Sequence, residues 1–330
     1  MADFKTQFLL PRRRLGRERK PLSDSSITLY IANLNKLTQL LGNAGVKTED
    51  AVFTNPPAIK EFIEITFPSY HTQKNYYSAI ISLLETFERD DDTDGYLDAY
   101  DSYRVAGNMK YTAELESGKL HGKQLENVVS KKSIDTLMRK LNTPNTKNDY
   151  QFLVLIKTYM TFPMRNELAT IKLIDVMEFN EDPEKYSHGN WLVKTDTAKR
   201  KGGKVGTPFY KFIFNEFKRS ETYGTREIQL PLPLRKIYFS YITKHNITEG
   251  DEVFHGSNGS PLTPLNLSKF LSRNFQKHLG KNISTTILRK IYYGSKYSKE
   301  IFEDLQTDAH NAGHSPSTAQ TIYTTSSIPE

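Results

Sequence analysis

Residues 284–293 read S-T-T-I-L-R-K-I-Y-Y and residues 312–323 read A-G-H-S-P-S-T-A-Q-T-I-Y, which puts Arg289, His314 and Tyr323 in one stretch, the last two nine positions apart. Arg289 interrupts an apolar face formed by Ile287, Leu288, Ile291 and Tyr292. A guanidinium in such surroundings keeps its charge and needs an anion, either a carboxylate of the fold or a ligand. Further upstream, F-P-M-R-N-E-L at 162–168 repeats the situation, with Arg165 between a strongly apolar pattern and the run Leu168–Val176. Glu167 offers Arg165 a structural ion pair; a phosphate is the other reading. His314, between Gly313 and a Ser-Pro helix start, either fills a turn or donates to the same anion, and Tyr323 is one of 19 tyrosines.

In combination these residues outline covalent phosphoryl transfer. Attack by a phenolic oxygen on a phosphodiester builds negative charge on the nonbridging oxygens, which two arginines and an imidazole are suited to hold. A lysine would protonate the departing sugar oxygen. Organic cations make a metal unnecessary, and the sequence has no dense run of histidine and carboxylate ligands. No cofactor is expected.

Composition agrees with an anionic partner. The 330 residues carry a formal charge of +7, which favours nucleic acid, and they are enough for two domains. An apolar share of 37% is low, but 19 tyrosines and 18 phenylalanines supply bulky cores. With no cysteine there is neither a disulfide framework nor a thiolate metal site, and an intracellular compartment is expected. Neither a secretory leader nor an apolar run long enough to span a membrane is evident, so no membrane partner is expected.

Residues 1–22 are expected to form a basic arm in which Arg12, Arg13, Arg14, Arg17, Arg19 and Lys20 contact backbone phosphates, or else a solvated leader. The run R-R-R-L-G-R-E-R-K, 12–20, also reads as a weak nuclear address. Helical stripes run from Asp24 or Ser25 to Leu41, Pro57 to Ile65, His71 to Phe87 and about Tyr96 to Leu120, the last preceded by an acidic turn at Asp90–Asp94. Such stripes cannot be buried singly, so residues 23–120 are expected to be a small helical domain, with 121–130 as linker.

A second domain, 131–330, opens with helices at Lys131–Leu141 and Asn148–Thr161. From Trp191 to Leu230 strand-like runs are split by glycines, giving a small antiparallel sheet. Helices resume at Pro233–Lys244, Pro264–Leu279 and 285–297, and Ser315-Pro316 opens a last short helix reaching Tyr323. The fold class is mostly α with a small antiparallel β-sheet.

The ordered set resembles the tyrosine recombinase, or phage-integrase, family. F-P-M-R-N-E-L-A-T-I-K-L-I-D-V is similar to its first arginine box, T-T-I-L-R-K to its second, and A-G-H-S-P-S-T-A-Q-T-I-Y to its closing histidine–tyrosine box. The hairpin F-N-E-F-K-R-S-E-T-Y-G-T-R-E-I-Q-L-P is similar to the strand region that bears its lysine. The resemblance covers about Lys131 to Tyr323, and more loosely the helical region as a core-binding domain. It implies Arg165, Lys218, Arg289, His314 and the nucleophile Tyr323 as the catalytic set, duplex DNA as partner, and a homotetramer on two duplexes formed from free monomers or weak oligomers. Integrases of large DNA viruses and virophages look most alike, which would place the protein in a host nucleus or a cytoplasmic viral factory.

The departures are specific. Thr286 stands where histidine or lysine is usual, and a hydroxyl is no cationic proton donor. Lys290 and His310 are auxiliary candidates. Lys199, Lys201, Lys204 and Lys211 compete with Lys218, since hairpin register is not set by composition. Arg165 and Glu167 are one residue closer than the common spacing. A type IB-like topoisomerase and a catalytically inactive DNA-binding relative are the alternative functions.

Overall fold

Apolar stripes closed by side-chain caps build most of this chain. The computed structural model describes residues 4–14, 17–45, 53–87, 90–116, 120, 122–144, 146–195, 206–218, 220–256, 258–297, 303–313, 315 and 318. It divides into two units, Met1–Ser117 and Gly118–Glu330. Both are mainly helical, and the second carries a four-stranded sheet, so the α+β class holds. Among the described residues no helix is long and apolar enough to cross a membrane.

The first unit comprises α1 (Phe4–Gln7), a hairpin of β1 (Arg13–Arg14) and β2 (Arg17–Glu18), α2 (Asp24–Asn43), α3 (Pro56–Thr66), α4 (Tyr70–Leu84) and α5 (Asp91–Glu116). Ser23 caps α2 by accepting from the Ser26 amide at 3.3 Å. The helix then buries Leu34, Leu37 and Leu41 at helical spacing. α4 is the axis of the unit, with Tyr76, Tyr77, Ile80, Leu83 and Leu84 all in its core. α5 starts earlier than the expected Tyr96: Asp90 accepts from the Thr93 amide at 2.7 Å, and Asp91, Asp92 and Asp94 form the first turn. Those carboxylates sit at the positive end of the helix dipole, which is why the acids belong to the helix and not to a turn before it.

The basic arm expected at 1–22 is corrected by its packing. Phe4 and Phe8 enter the helical core. Arg12 reaches Glu85 at 3.0 Å, where the carboxylate side chain is 1% exposed, and Arg14 reaches Asp101 at 2.7 Å. The charge run is thus partly internal; Arg13, Arg17, Arg19 and Lys20 remain exposed at the surface.

In the second unit the expected linker is also structured. It contains α6 (Lys123–Asn127), whose Asn127 Oδ1 accepts from the Asn282 amide at 2.6 Å, and Val128 is buried in the main core. α7 (Lys131–Lys140) is capped by Ser130, and α8 (Lys147–Tyr159) is enclosed almost throughout. A 3-10 turn, Asn166–Thr170, leads into β3 (Ile171–Asp175), then α9 (Val176–Glu181), β4 (Asn190–Thr195), β5 (Phe209–Phe214), α10 (Ser220–Tyr223) and β6 (Arg226–Gln229). Helices α11 (Leu232–Lys244), α12 (Pro264–Leu279), α13 (Thr285–Lys296) and α14 (Glu303–Asn311) complete it.

The sheet order is β3-β4-β5-β6, with β4, β5 and β6 antiparallel as expected. β3 is the correction: it lies parallel to β4, Leu173 opposite Leu192, so the sheet is mixed. The period of two sends Leu173, Leu192, Phe212 and Ile228 into the main core and Ile174, Val193 and Ile213 onto a smaller cluster with Tyr186. A sheet covered on both faces has little freedom to shear, and it fixes the strand ends where the candidate site lies.

The internal ion pair predicts a contrast between arginines of equal sequence standing. Arg12→Ala, which removes the nearer of the two arginines paired with buried Glu85 and leaves Arg19 Nε at 3.7 Å, should destabilise the protein by about 1–3 kcal/mol. Arg17→Ala, at an exposed position, should change it by less than about 0.5 kcal/mol. Urea unfolding of the two variants distinguishes a packed segment from a solvated arm.

Candidate active site

Arg165 leaves the end of α8 on a short loop, and the hydroxyl of fully buried Tyr159 donates to its backbone carbonyl. Its Nη1 is buried without a hydrogen-bond partner among the described residues. Burial holds the Tyr159 phenol well above its ordinary pKa, so it acts here as a neutral donor. Arg289 comes from the first half of α13. That helix begins where Ser284 accepts from the Ile287 amide at 3.4 Å, and Arg289 is 6% exposed with Nη2 directed at Thr286 Oγ1, 3.4 Å away.

Lys218 arrives from the loop after β5, not from a strand as the resemblance implied. That loop is tied down by Asn190 at the start of β4, which is 3% exposed. Asn190 Oδ1 accepts from the Glu216 amide at 3.0 Å, and its Nδ2 donates to the Glu216 carbonyl at 2.9 Å and to Thr170 Oγ1 at 3.1 Å. Glu216 Oε1 in turn accepts from the Gly189 amide at 3.0 Å. Sequence reading passed over Asn190; its signal is only that an asparagine stands directly before the apolar run W-L-V.

These segments meet around one cavity of about 450 Å³, whose walls include Arg165, Lys218, Arg289, Thr285, Thr286 and Asn190. Two guanidiniums, an ammonium and hydroxyls facing a common space make a site for a tetrahedral oxyanion. Glu167 does not neutralise Arg165 as its proximity in sequence suggested. It pairs instead with Arg226 on β6 at 2.6 Å, both side chains almost wholly buried.

The other candidates fall elsewhere. Lys290 is 6% exposed and is absent from the cavity wall, and its burial lowers its pKa. His310 is exposed on α14, edge-on to Tyr223 at 6.0 Å. Lys211 lies on β5 and pairs with Glu227 at 2.9 Å. His314 and Tyr323 lie outside the described residues, as do Lys199, Lys201 and Lys204. The chain leading to them is anchored through α14: Asp308 accepts from the Tyr292 hydroxyl at 2.8 Å, from Lys296 Nζ at 2.9 Å and from the Tyr297 hydroxyl. α14 was not foreseen, and the short helix expected from Ser315 falls almost entirely outside the described residues.

The chain is similar to a solved structure of the XerH site-specific recombinase bound to its difH substrate, a pre-cleavage complex. The match has 18% identity and a TM-score of 0.53, and covers 90% of this chain and 75% of that one. A crystal structure of XerA recombinase matches at 12% identity and a TM-score of 0.38, over 92% of this chain and 87% of that one. No protein-family model and no curated protein matches the chain. The XerH likeness shows that the chain shares the fold of that structure, and nothing beyond the fold.

The Asn190 network predicts its own cost. Asn190→Ala leaves the Glu216 amide without its acceptor and should destabilise the protein by about 1–3 kcal/mol. Asn190→Asp, which keeps an acceptor for that amide but loses the donor to Thr170 and the Glu216 carbonyl, should lose part of this. Thermal unfolding of both variants checks the ranking.

Proposed function

We propose that the protein is a site-specific DNA recombinase that cleaves and rejoins duplex DNA through a 3′-phosphotyrosine at Tyr323. The observation that carries this reading is the cavity shared by Arg165, Lys218 and Arg289, which come from three segments distant in sequence. The Tyr323 oxygen bonds to phosphorus as the bond to the 5′-oxygen breaks, and Lys218 protonates that oxygen as it departs. Arg165, Arg289 and His314 hold the charge gathering on the nonbridging oxygens. A 5′-hydroxyl of a partner duplex then attacks the phosphotyrosine, so no external energy source is required.

In this reading the unit Gly118–Glu330 is catalytic, the helical unit Met1–Ser117 is the core-binding domain, and four copies assemble on two duplexes. The exposed Arg13, Arg17, Arg19 and Lys20 contact DNA phosphates, while Arg12 and Arg14 serve the fold. Integration by a viral or virophage element is the biological reaction that the R-N-E form of the first box favours. Thr286 supports a second reading, a DNA-binding relative without catalysis, because the cavity holds a neutral hydroxyl where the family has a cationic group.

A nicked suicide duplex separates the two. The recombinase reading expects a covalent protein–DNA adduct that disappears in Tyr323→Phe; tight binding with no adduct across candidate sites supports the second reading. Relaxation of supercoils without joining of different duplexes would point to a type IB-like topoisomerase. Arg289→Ala should slow adduct formation about 10²–10³-fold, as for loss of one oxyanion donor. Its effect on DNA affinity should be that of one phosphate contact, and equal losses in both would remove its transition-state role.

A further inference from the structure

Arg226 is the most enclosed arginine near the cavity, 3% exposed, and no chemistry assigned above uses it. It opens β6 in register with Phe214 of β5, so the strand period turns it toward the core beside Phe214. Its Nη2 donates to Glu167 Oε1 at 2.6 Å. Its Nη1 donates to the backbone carbonyl of Asn311, at the end of α14. Its guanidinium carbon lies 4.1 Å from the centre of the Phe217 ring.

Each contact is a short step from a group proposed to act on phosphate. Glu167 is two residues after Arg165, Phe217 adjoins Lys218, and Asn311 is three residues before His314. Gly313 shows how closely the chain passes: at φ +69° it is in the left-handed region, and a Cβ there would stand 3.0 Å from the Phe217 ring and 3.1 Å from Arg226 Nη1.

We propose that Arg226 is the positioning residue of this site. One buried planar guanidinium sets the Arg165 turn, the Lys218 loop and the approach to His314 relative to one another. The proposal rests on the recombinase reading for the roles of those three groups. The guanidinium suits the task because its donors point in fixed directions, one to a carboxylate and one to a carbonyl, while its face lies on an aromatic ring. A lysine could satisfy one of these partners as a point charge but could not orient all three. By claiming Glu167, Arg226 also keeps that carboxylate from neutralising Arg165.

The test uses the full chain with Arg226→Lys, Arg226→Met and the double variant Arg226→Met/Glu167→Gln. The double variant removes the tie without leaving a buried charge, and so guards against simple misfolding. Hydrogen exchange without DNA should rise about tenfold or more together at 167–170, 217–218 and 312–313 in the double variant, with Leu173 and Leu192 still protected. On the suicide duplex at saturating concentration, adduct formation should slow about 100-fold, the effect of roughly 1 Å of misplacement, with DNA affinity held within about threefold. Arg226→Lys should recover part of that rate.

Exchange that rises only beside residue 226, or evenly over the whole unit, would overturn the proposal. So would an unchanged rate at saturation. If the unaltered chain yields no adduct, the recombinase reading fails, and the exchange pattern alone supports or overturns the tie made by Arg226.

Discussion

Like charges gathered around one cavity repel each other, and the second unit is built to withstand that repulsion. Arg165, Lys218 and Arg289 share a space of about 450 Å³. The segments do not move freely. Tyr159 holds the Arg165 carbonyl from inside the core, Asn190 grips the loop of Lys218, and α13 buries the apolar residues on either side of Arg289. Packing free energy gained on folding therefore offsets the electrostatic cost of assembling cations before any anion is present. A preorganised site of this kind loses little to reorganisation when charge develops within it.

The carboxylates of the wall complete that arrangement by being engaged elsewhere. Glu167 is matched to Arg226, and Glu216 accepts from the Gly189 amide. Both line the cavity, and a carboxylate already engaged by a donor of the fold is less available to a cation of the wall. Pairing Glu167 in a buried place with an arginine from another strand is costly in desolvation, yet removing either partner alone would be worse. The pair is thus self-maintaining once formed, and it keeps the cavity positive.

How much of this could be read from the chain depends on the range of the interaction. Helices were legible because their signals are local: apolar residues recur at helical spacing, and Thr263 caps its helix as expected, although the first helix is capped by Ser23 and not by the expected Asp24 or Ser25. Arg165 and Arg289 were legible because a guanidinium inside an apolar pattern is anomalous wherever it stands. The N-terminal hairpin was not, since Arg12 meets Glu85 and Arg14 meets Asp101 across 73 and 87 residues. For the same reason the Glu167–Arg226 pair, 59 residues apart, was not legible, and the sequence offered only the adjacent Arg165 as a partner for Glu167, beside the phosphate reading. The parallel seat of β3 beside β4 is likewise a tertiary fact, because I-K-L-I-D alternates no differently for a parallel or an antiparallel neighbour.

Thr286 makes one position of this positive wall neutral. It is three residues before Arg289 on the same helical face, and its hydroxyl oxygen accepts from the guanidinium at 3.4 Å while its own proton remains to donate. A lysine or protonated histidine there would add a further charge to an already positive wall, at a cost in repulsion. Threonine avoids that cost but supplies no labile cationic proton. On the proposed reading, protonation of the leaving oxygen then falls on Lys218, a side chain that is exposed and loop-borne. A loop can deliver a proton reproducibly only if it is held as firmly as a strand. The hydrogen bonds from Asn190 to Glu216, and the ring of Phe217 against Arg226, provide that hold immediately before the lysine. On the same reading, the neutral hydroxyl of Thr286 on α13 leaves that proton to the loop after β5, whose residues 216 and 217 are the ones held.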